Sequence, residues 1–371
     1  MKQPDWIVEA AAVLESTDSP APVLVGFDGF VDEILHLVEE RAGPETYIRM
    51  ANMERFAQKI ESAAGLSCNI EMVPQMTKLG GNAPIMANAL CALDHPTSYI
   101  GAIGRHEIHP VFREMADACE HVTSLTDAAV THALEFSNGK VMLGKMDSLK
   151  DVNWDRLARR LPEDELTRIL GRCRLVACVN WTMLSFMNEI LTGLGRLLAG
   201  LDGRRMLFVD LADPAKRSRE DIAEVLDILS VLQESADIVF GMNKNESDQV
   251  ADVLGVPSTH DLQFRAEAIR NRLGLHLVAI HPADSAYAAM DGESWHAHGP
   301  YTENPQLTTG AGDVFNAGFC HALLAGGSAQ QALGAGVCAS GFYVRNCRPA
   351  TRTELVAFMR KWAAIDCGIL A

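Results

Sequence analysis

RLVACVNWTMLSFMNEILTGLGRLLAGLDGRRMLFVDLA, residues 174–212, opens and closes on apolar runs of strand length, RLVACVNW (174–181) and RMLFVDLA (205–212). Between them NEILTGLGRLLAGL (188–201) repeats apolar residues at helical spacing. Neither run alternates apolar with polar residues, as expected of a parallel strand covered on both faces. The unit is therefore strand, helix, strand, and it recurs on both sides. APVLVGF (21–27), TSYIGAIG (97–104), ADIVFGMN (236–243) and LHLVAIH (275–281) read as further buried strands. SREDIAEVLDILSVLQE (218–234) and HDLQFRAEAIRNRLG (260–274) read as helices between them. This alternation predicts an α/β fold, a doubly wound and mostly parallel sheet flanked by helices.

Two stretches break the rhythm, DEILHLVEERAGPETYIRM (32–50) and VTHALEFSNGKVMLGKM (130–146). Both read as partly exposed strands, and SNG in the second is a hairpin turn between alternating apolar residues. The expectation is a small β appendage from residues 32–50 and 130–146, on an α/β core of residues 1–31, 51–129 and 147–371.

Composition narrows the function. The 371 residues are 48% hydrophobic and 22% charged, enough to bury a sizeable core. With 32 basic against 48 acidic residues the net charge is -16, which repels a phosphate backbone and argues against a nucleic-acid partner. No apolar run approaches the length of a membrane span, and the first residues carry acids where a signal peptide needs an apolar core. Nine cysteines, an odd number without a CxxC pair, suit reduced buried thiols. A soluble cytoplasmic protein is expected.

Four short motifs carry chemistry. LTTGAGDVFNAGFCHALLAGG (307–327) places Gly310 and Gly312 before Asp313 and an apolar helix. Glycines let backbone amides crowd a ligand, and the helix start favours an anion there. An acid in the first turn is placed to accept a proton from an attacking hydroxyl, or else simply to satisfy helix-start amides. KLGGNAPIMANAL (78–90) starts a helix after Gly80 and Gly81, with Asn82 and Pro84 marking its first turn. GMNKNESDQV (241–250) puts Asn243 and Glu246 one turn apart, either as contacts to a hydrated magnesium ion or as a capping pair. VLVGFDGFVDEI (23–34) sets Asp28 and Asp32 beyond the first strand, at the end where α/β sheets bind ligands; solvated loop acids are the plainer reading. Other sites fail. There is no P-loop, no GxSxG and no HExxH, and GAGVCA (334–339) follows a helical rather than a strand pattern.

Taken together and in this order, the four motifs resemble those of the ribokinase-like (PfkB-type) carbohydrate and nucleoside kinases. TTGAGDVFNAGF is similar to that family's C-terminal signature, KLGGNAP to its N-terminal one, and NKNE to its NxxE magnesium motif. The resemblance implies a kinase that transfers the γ-phosphoryl group of ATP, with Mg²⁺, to a hydroxyl of a sugar or sugar-like molecule. It implies that Gly310, Ala311 and Gly312 form an anion hole, that Asp313 is the general base, and that Thr309 adds to the nucleotide site. It assigns the substrate to Asp32, Asp28, Gly80, Gly81, Asn82 and Asn180, and the metal to Asn243 and Glu246. The β appendage becomes a lid, through which a homodimer forms. A nucleoside kinase of the same fold, or a sugar-binding regulatory protein with weakened phosphate chemistry, are the alternatives. The pattern departs from the family at Ile85, Arg105, Leu307 and in IHPADSA (280–286), where a glycine-containing phosphate loop is usual.

Overall fold

The computed structural model describes residues 5–365; Cys367 lies outside them. Fourteen strands occur among the described residues, in two sheets. In chain order they are β1 (Val23–Phe27), β2 (Phe30–Arg41), β3 (Tyr47–Arg49), β4 (Met72–Gly80), β5 (Thr97–Ala102), β6 (His121–Thr126) and β7 (Ala129–Phe136). They continue with β8 (Gly139–Lys145), β9 (Leu175–Cys178), β10 (Met206–Asp210), β11 (Asp237–Met242), β12 (Leu277–Ile280), β13 (Ser285–Met290) and β14 (Glu293–His298).

The nine-stranded sheet has the order β14-β13-β12-β11-β10-β9-β1-β5-β6, parallel from β6 to β12 and closed by the antiparallel β13–β14 hairpin. Each strand that the apolar runs predicted is present, and the central ones are buried along their length. Side chains of alternate parity enter two hydrophobic layers, one on each face. In β1, Val23 and Val25 join one layer while Leu24 joins the other, which is why no polar alternation marks the sequence.

The chain leaves β1 towards β5 and β6 on one side, then returns to β9 on the other. That reversal between β1 and β9 opens a crevice at the carboxyl ends of the strands. Asp28 and Asn180 are the residues just beyond those two ends.

The second sheet is the β appendage. β2 pairs in parallel with β7 and antiparallel with β4 and with β3; β8 pairs with β7. Its small core is Leu35, Leu37, Met50, Leu134 and Phe136, with Phe56 of the helix Met53–Ser62 stacked 5.6 Å from Phe136. β4 and this helix were expected in the α/β core, within residues 51–129; they belong with the appendage. Pro74 hides the strand, since proline has no ladder N–H and reads as a strand breaker. The pairing jumps from Ile34–Met76 to Leu35–Pro74, so Gln75 is left over in a bulge that absorbs the proline. GAGVCA lies inside the helix Ala329–Asn346, where Gly334 and Gly336 make room for Trp6 and Phe315.

Candidate active site

The helix Ala311–Leu324 starts at Gly310, whose φ of 90° is open to glycine at little steric cost. A Cβ there would also lie 2.9 Å from Ile85 Cδ1, so the loop is packed against the residue that replaces the usual asparagine. No side chain caps this helix. The amide of Ala311 donates to the Thr308 carbonyl (3.1 Å), which withdraws it from the expected anion hole. Gly312 and Asp313 then supply the amides of the open first turn. Thr309 presents its carbonyl to the Tyr343 hydroxyl, which donates across 3.0 Å.

Asp313 is buried. Burial, then the charges of Asp210 and Asp28, push its carboxyl well above the usual range, while Asn82 opposes them. That opposing contact is direct: Asn82 Nδ2 donates to Asp313 Oδ1 at 2.8 Å, joining the N-terminal and C-terminal motifs across 231 residues. Oδ2 has no hydrogen-bond partner among the described residues.

Asp28 proves to be neither a solvated loop acid nor a crevice contact. It is completely buried and accepts from the amides of Asn82 (3.0 Å) and Ala83 (2.8 Å) and from Asn180 Nδ2 (2.5 Å). It is the anion at the start of the helix Asn82–Ala92. Burial lifts its carboxyl to about 6 against those three donors. Asn180, in left-handed backbone, is bound to this task through its amide nitrogen, and its Oδ1 is buried without a partner.

Asp32 sits on β2 opposite Lys78 of β4 and Thr131 of β7. Burial raises its carboxyl, and the field of Lys78 and a hydrogen bond with Thr131 pull it back. Gly80 and Gly81 serve these two acids. A Cβ on Gly80 would stand 2.5 Å from Asp32 Cγ, and one on Gly81 would stand 3.0 Å from Asp28 Oδ2. Burial raises the Tyr343 phenol, and the charges of Asp313 and Asp32 raise it further.

At Asn243 and Glu246 the structure shows the capping pair. Asn243 Oδ1 accepts from the Glu246 amide (3.0 Å), and Glu246 Oε2 accepts from the Asn243 amide (2.7 Å). Glu246 Oε1 accepts from Asn243 Nδ2 (2.6 Å) and the Asp213 amide (3.0 Å). Burial raises the Glu246 carboxyl, and then Asp210 raises it further. Sequence reasoning missed Asp210, although it stands at the end of β10 as Asp28 stands at the end of β1. Asn316, one turn beyond Asp313, donates to Asp210 Oδ2 at 2.9 Å.

Asp28, Asp210, Glu246 and Asp313 thus form a buried carboxylate group whose members raise one another's affinity for protons. A divalent cation offsets such charge, and the site fits one held through water. No group of three or more His, Cys, Asp or Glu among the described residues forms a direct cage, and magnesium keeps most of its waters.

Beside the helix start lies a cavity of 350 Å³. Asn243, His281, Thr308 and Gly312 are among its polar and backbone lining, and Pro300, Tyr301, Val337 and Val344 among its apolar lining. A shallower groove of 830 Å³ runs between the helices Met187–Ala199 and Arg219–Leu232. It lies on the outer layer, without Asp313 or its partners, and takes no part in the site. Arg105 is also outside it, bound to Asp151 at 2.5 Å. Leu307 packs into the core.

The model of the prokaryotic ketohexokinases matches residues 7–362. The chain belongs to this family. It is 27% identical to a ketohexokinase of Haloferax volcanii over 340 residues, covering 91% of this chain and 90% of that protein. Solved structures of the same fold include an adenosine kinase from Sinorhizobium meliloti (16% identity, TM-score 0.66) and an Arabidopsis thaliana ribokinase complexed with ribose and ATP (17%, 0.64). Each alignment covers 92% of this chain and 99% of the other. Nucleoside and sugar kinases share this fold, so fold alone does not choose between them; the family model does. The chain is a carbohydrate kinase. No helix among the described residues is long and apolar enough to cross a membrane.

Proposed function

We propose that the chain phosphorylates a hydroxyl of a ketohexose with the γ-phosphoryl group of ATP, and that Asp313 is the general base. The observation that carries this reading is the uncapped helix start at Gly310 with a buried carboxylate in its first turn, beside a 350 Å³ cavity lined by both polar and apolar residues. The apolar lining suits a purine, and the Gly312 and Asp313 amides suit a phosphate chain.

The sugar lies under the lid, bound by Asp32 and oriented by Asn82. Asp313 receives the hydroxyl proton at Oδ2 while Asn82 holds Oδ1. The sugar oxygen bonds to the γ-phosphorus, the bond to the bridging oxygen breaks, and ADP leaves. Magnesium, when bound through water by Asp210 and Glu246, supplies positive charge to the transferring phosphate. The Gly312 and Asp313 amides stabilise the negative charge that grows on the phosphoryl oxygens. Lid closure over Asp32 excludes water.

The lid is also our candidate for a homodimer interface, because Ile48, Met72, Met76, Met142 and Leu143 are about half exposed on it. The eight described cysteines are free, which fits a reducing cytoplasm.

The test is turnover with ATP and Mg²⁺ across fructose, ribose and adenosine, read as ADP release and phosphorylated product. Fructose should give the highest kcat/KM. Preference for adenosine would favour a nucleoside kinase, and absence of any product would favour a sugar-binding protein.

A further inference from the structure

His281 follows β12 in the loop where relatives have a glycine-containing phosphate site, and no part of the mechanism above uses it. The residue is half-buried, and its ring stacks on Phe315, with centroids 4.5 Å apart and planes at 29°. Cε1 is 3.3 Å from where a Cβ on Gly312 would stand, so the ring lies against the backbone of the open helix start. It lines the cavity with Asn243, Thr308 and Gly312. Its backbone amide is accounted for, donating to the Met242 carbonyl at 2.9 Å. Nε2 is not: it is buried without any hydrogen-bond partner. A buried polar atom left unpaired is unfavourable, and native folds seldom leave one without a ligand or water to complete it.

We propose that His281 is a nucleotide-specificity residue, its neutral ring donating Nε2–H to an oxygen of the phosphate chain beside Gly312. The assignment rests on the reading of this cavity as the ATP site. Three observations point to phosphate. The helix start and its amides favour an anion at Gly312. The orphan nitrogen belongs to a ring that lines the cavity together with Asn243, Thr308 and Gly312, the last of these in the open first turn. Burial also holds the imidazole down at about 4, so it is neutral at pH 7 and carries one proton, which either ring nitrogen can hold. Stacking on Phe315 fixes the ring plane and so the direction of that donor. A histidine so held replaces the backbone amides that a glycine-rich loop would otherwise offer.

The experiment is calorimetric titration of the full chain, in Mg²⁺ buffer, with the non-hydrolysable imido analogue of ATP and separately with adenosine. His281→Phe keeps the stacking surface and removes the donor. It should weaken the analogue about 10- to 100-fold, the range for one hydrogen bond to a charged group, and leave adenosine affinity unchanged. His281→Gln, which returns an N–H near the same place, should recover part of the loss. A readout without mutation is the His281 ring nitrogen shift in ¹⁵N-labelled wild-type protein. It should move on adding the analogue and stay put with adenosine. Unchanged analogue affinity in His281→Phe, equal loss of adenosine, or a ring shift indifferent to phosphate would each overturn the proposal. Wild-type protein that binds neither compound would overturn the ATP reading beneath it.

Discussion

Two helices of the core begin after a glycine of positive φ, although ψ differs, 143° at Gly81 and -1° at Gly310. Gly81 and Gly310 precede them with φ of 94° and 90°, and neither N-cap residue offers a side-chain hydrogen bond. Their first turns nevertheless have opposite fates. The amides of Asn82 and Ala83 are filled by Asp28, a carboxylate from the end of β1, fixed in turn by Asn180. The first turn at Gly310 has no such plug, and beside it stands the His281 ring with its unpaired nitrogen. A helix start binds an anion in either case. Where the chain supplies the anion, the start is scaffold; where it does not, the start is a site. A glycine-rich motif alone therefore does not distinguish function from architecture, and the origin of the nearest carboxylate does.

That contrast gives its largest expected effect at Asp313. Asp313→Asn should lower kcat by about 10²–10⁴-fold, the usual contribution of a general base, with no loss of thermal stability. Steady-state kinetics and a melting curve on the same preparation check both halves.

The next effect is on stability and pH. Asp28 is raised from 3.8 to about 6 in the folded protein, so folding favours its protonated form. Its contribution is present below about pH 4 and is lost as pH rises through 6. A shift of roughly two units corresponds to about 3 kcal/mol. Urea unfolding of protein free of nucleotide and metal should show lower stability at pH 8 than at pH 5, and the difference should shrink in Asp28→Asn.

At fixed pH, Asp28→Asn should destabilise the fold by about 1–3 kcal/mol, because its amide group meets two backbone donors with one acceptor. Once folded, the variant should keep most of its kcat. Loss of kcat without loss of stability would reverse the roles given to the two helix starts.

The smallest effect belongs to the link between them. Asn82 lowers the Asp313 pKa through the 2.8 Å hydrogen bond. Asn82→Ala should therefore move the acid limb of the kcat–pH profile to higher pH, with a loss of about tenfold or less near neutrality.

Much of this was legible in the residues. The parallel core was readable because strands buried on both faces are continuous apolar runs between helical patterns, and the 310–313 motif because its glycines and acid are adjacent in sequence. The β appendage was only half readable. β4 carries Pro74 and is mostly exposed, so neither composition nor alternation marks it. Asp28 looked like a solvated loop acid because its partners lie 54, 55 and 152 residues away. Asp210 had a signal, an acid closing a buried strand, the same one that singled out Asp28. For His281 the sequence offered only a departure from a familiar loop. Its significance lies in an unpaired nitrogen, which is a property of packing.

The most direct test of the contrast is a crystal structure of the protein with ADP, Mg²⁺, fructose and aluminium fluoride, which mimics the phosphoryl group in flight. The account predicts the fluoride over the Gly312 and Asp313 amides, in line between ADP and a fructose hydroxyl within hydrogen-bond reach of Asp313 Oδ2, with Asp28 still seated on the Asn82 helix. Fluoride at the Gly81 start with Asp28 displaced, or a reacting hydroxyl on Asp32 instead of Asp313, would contradict it.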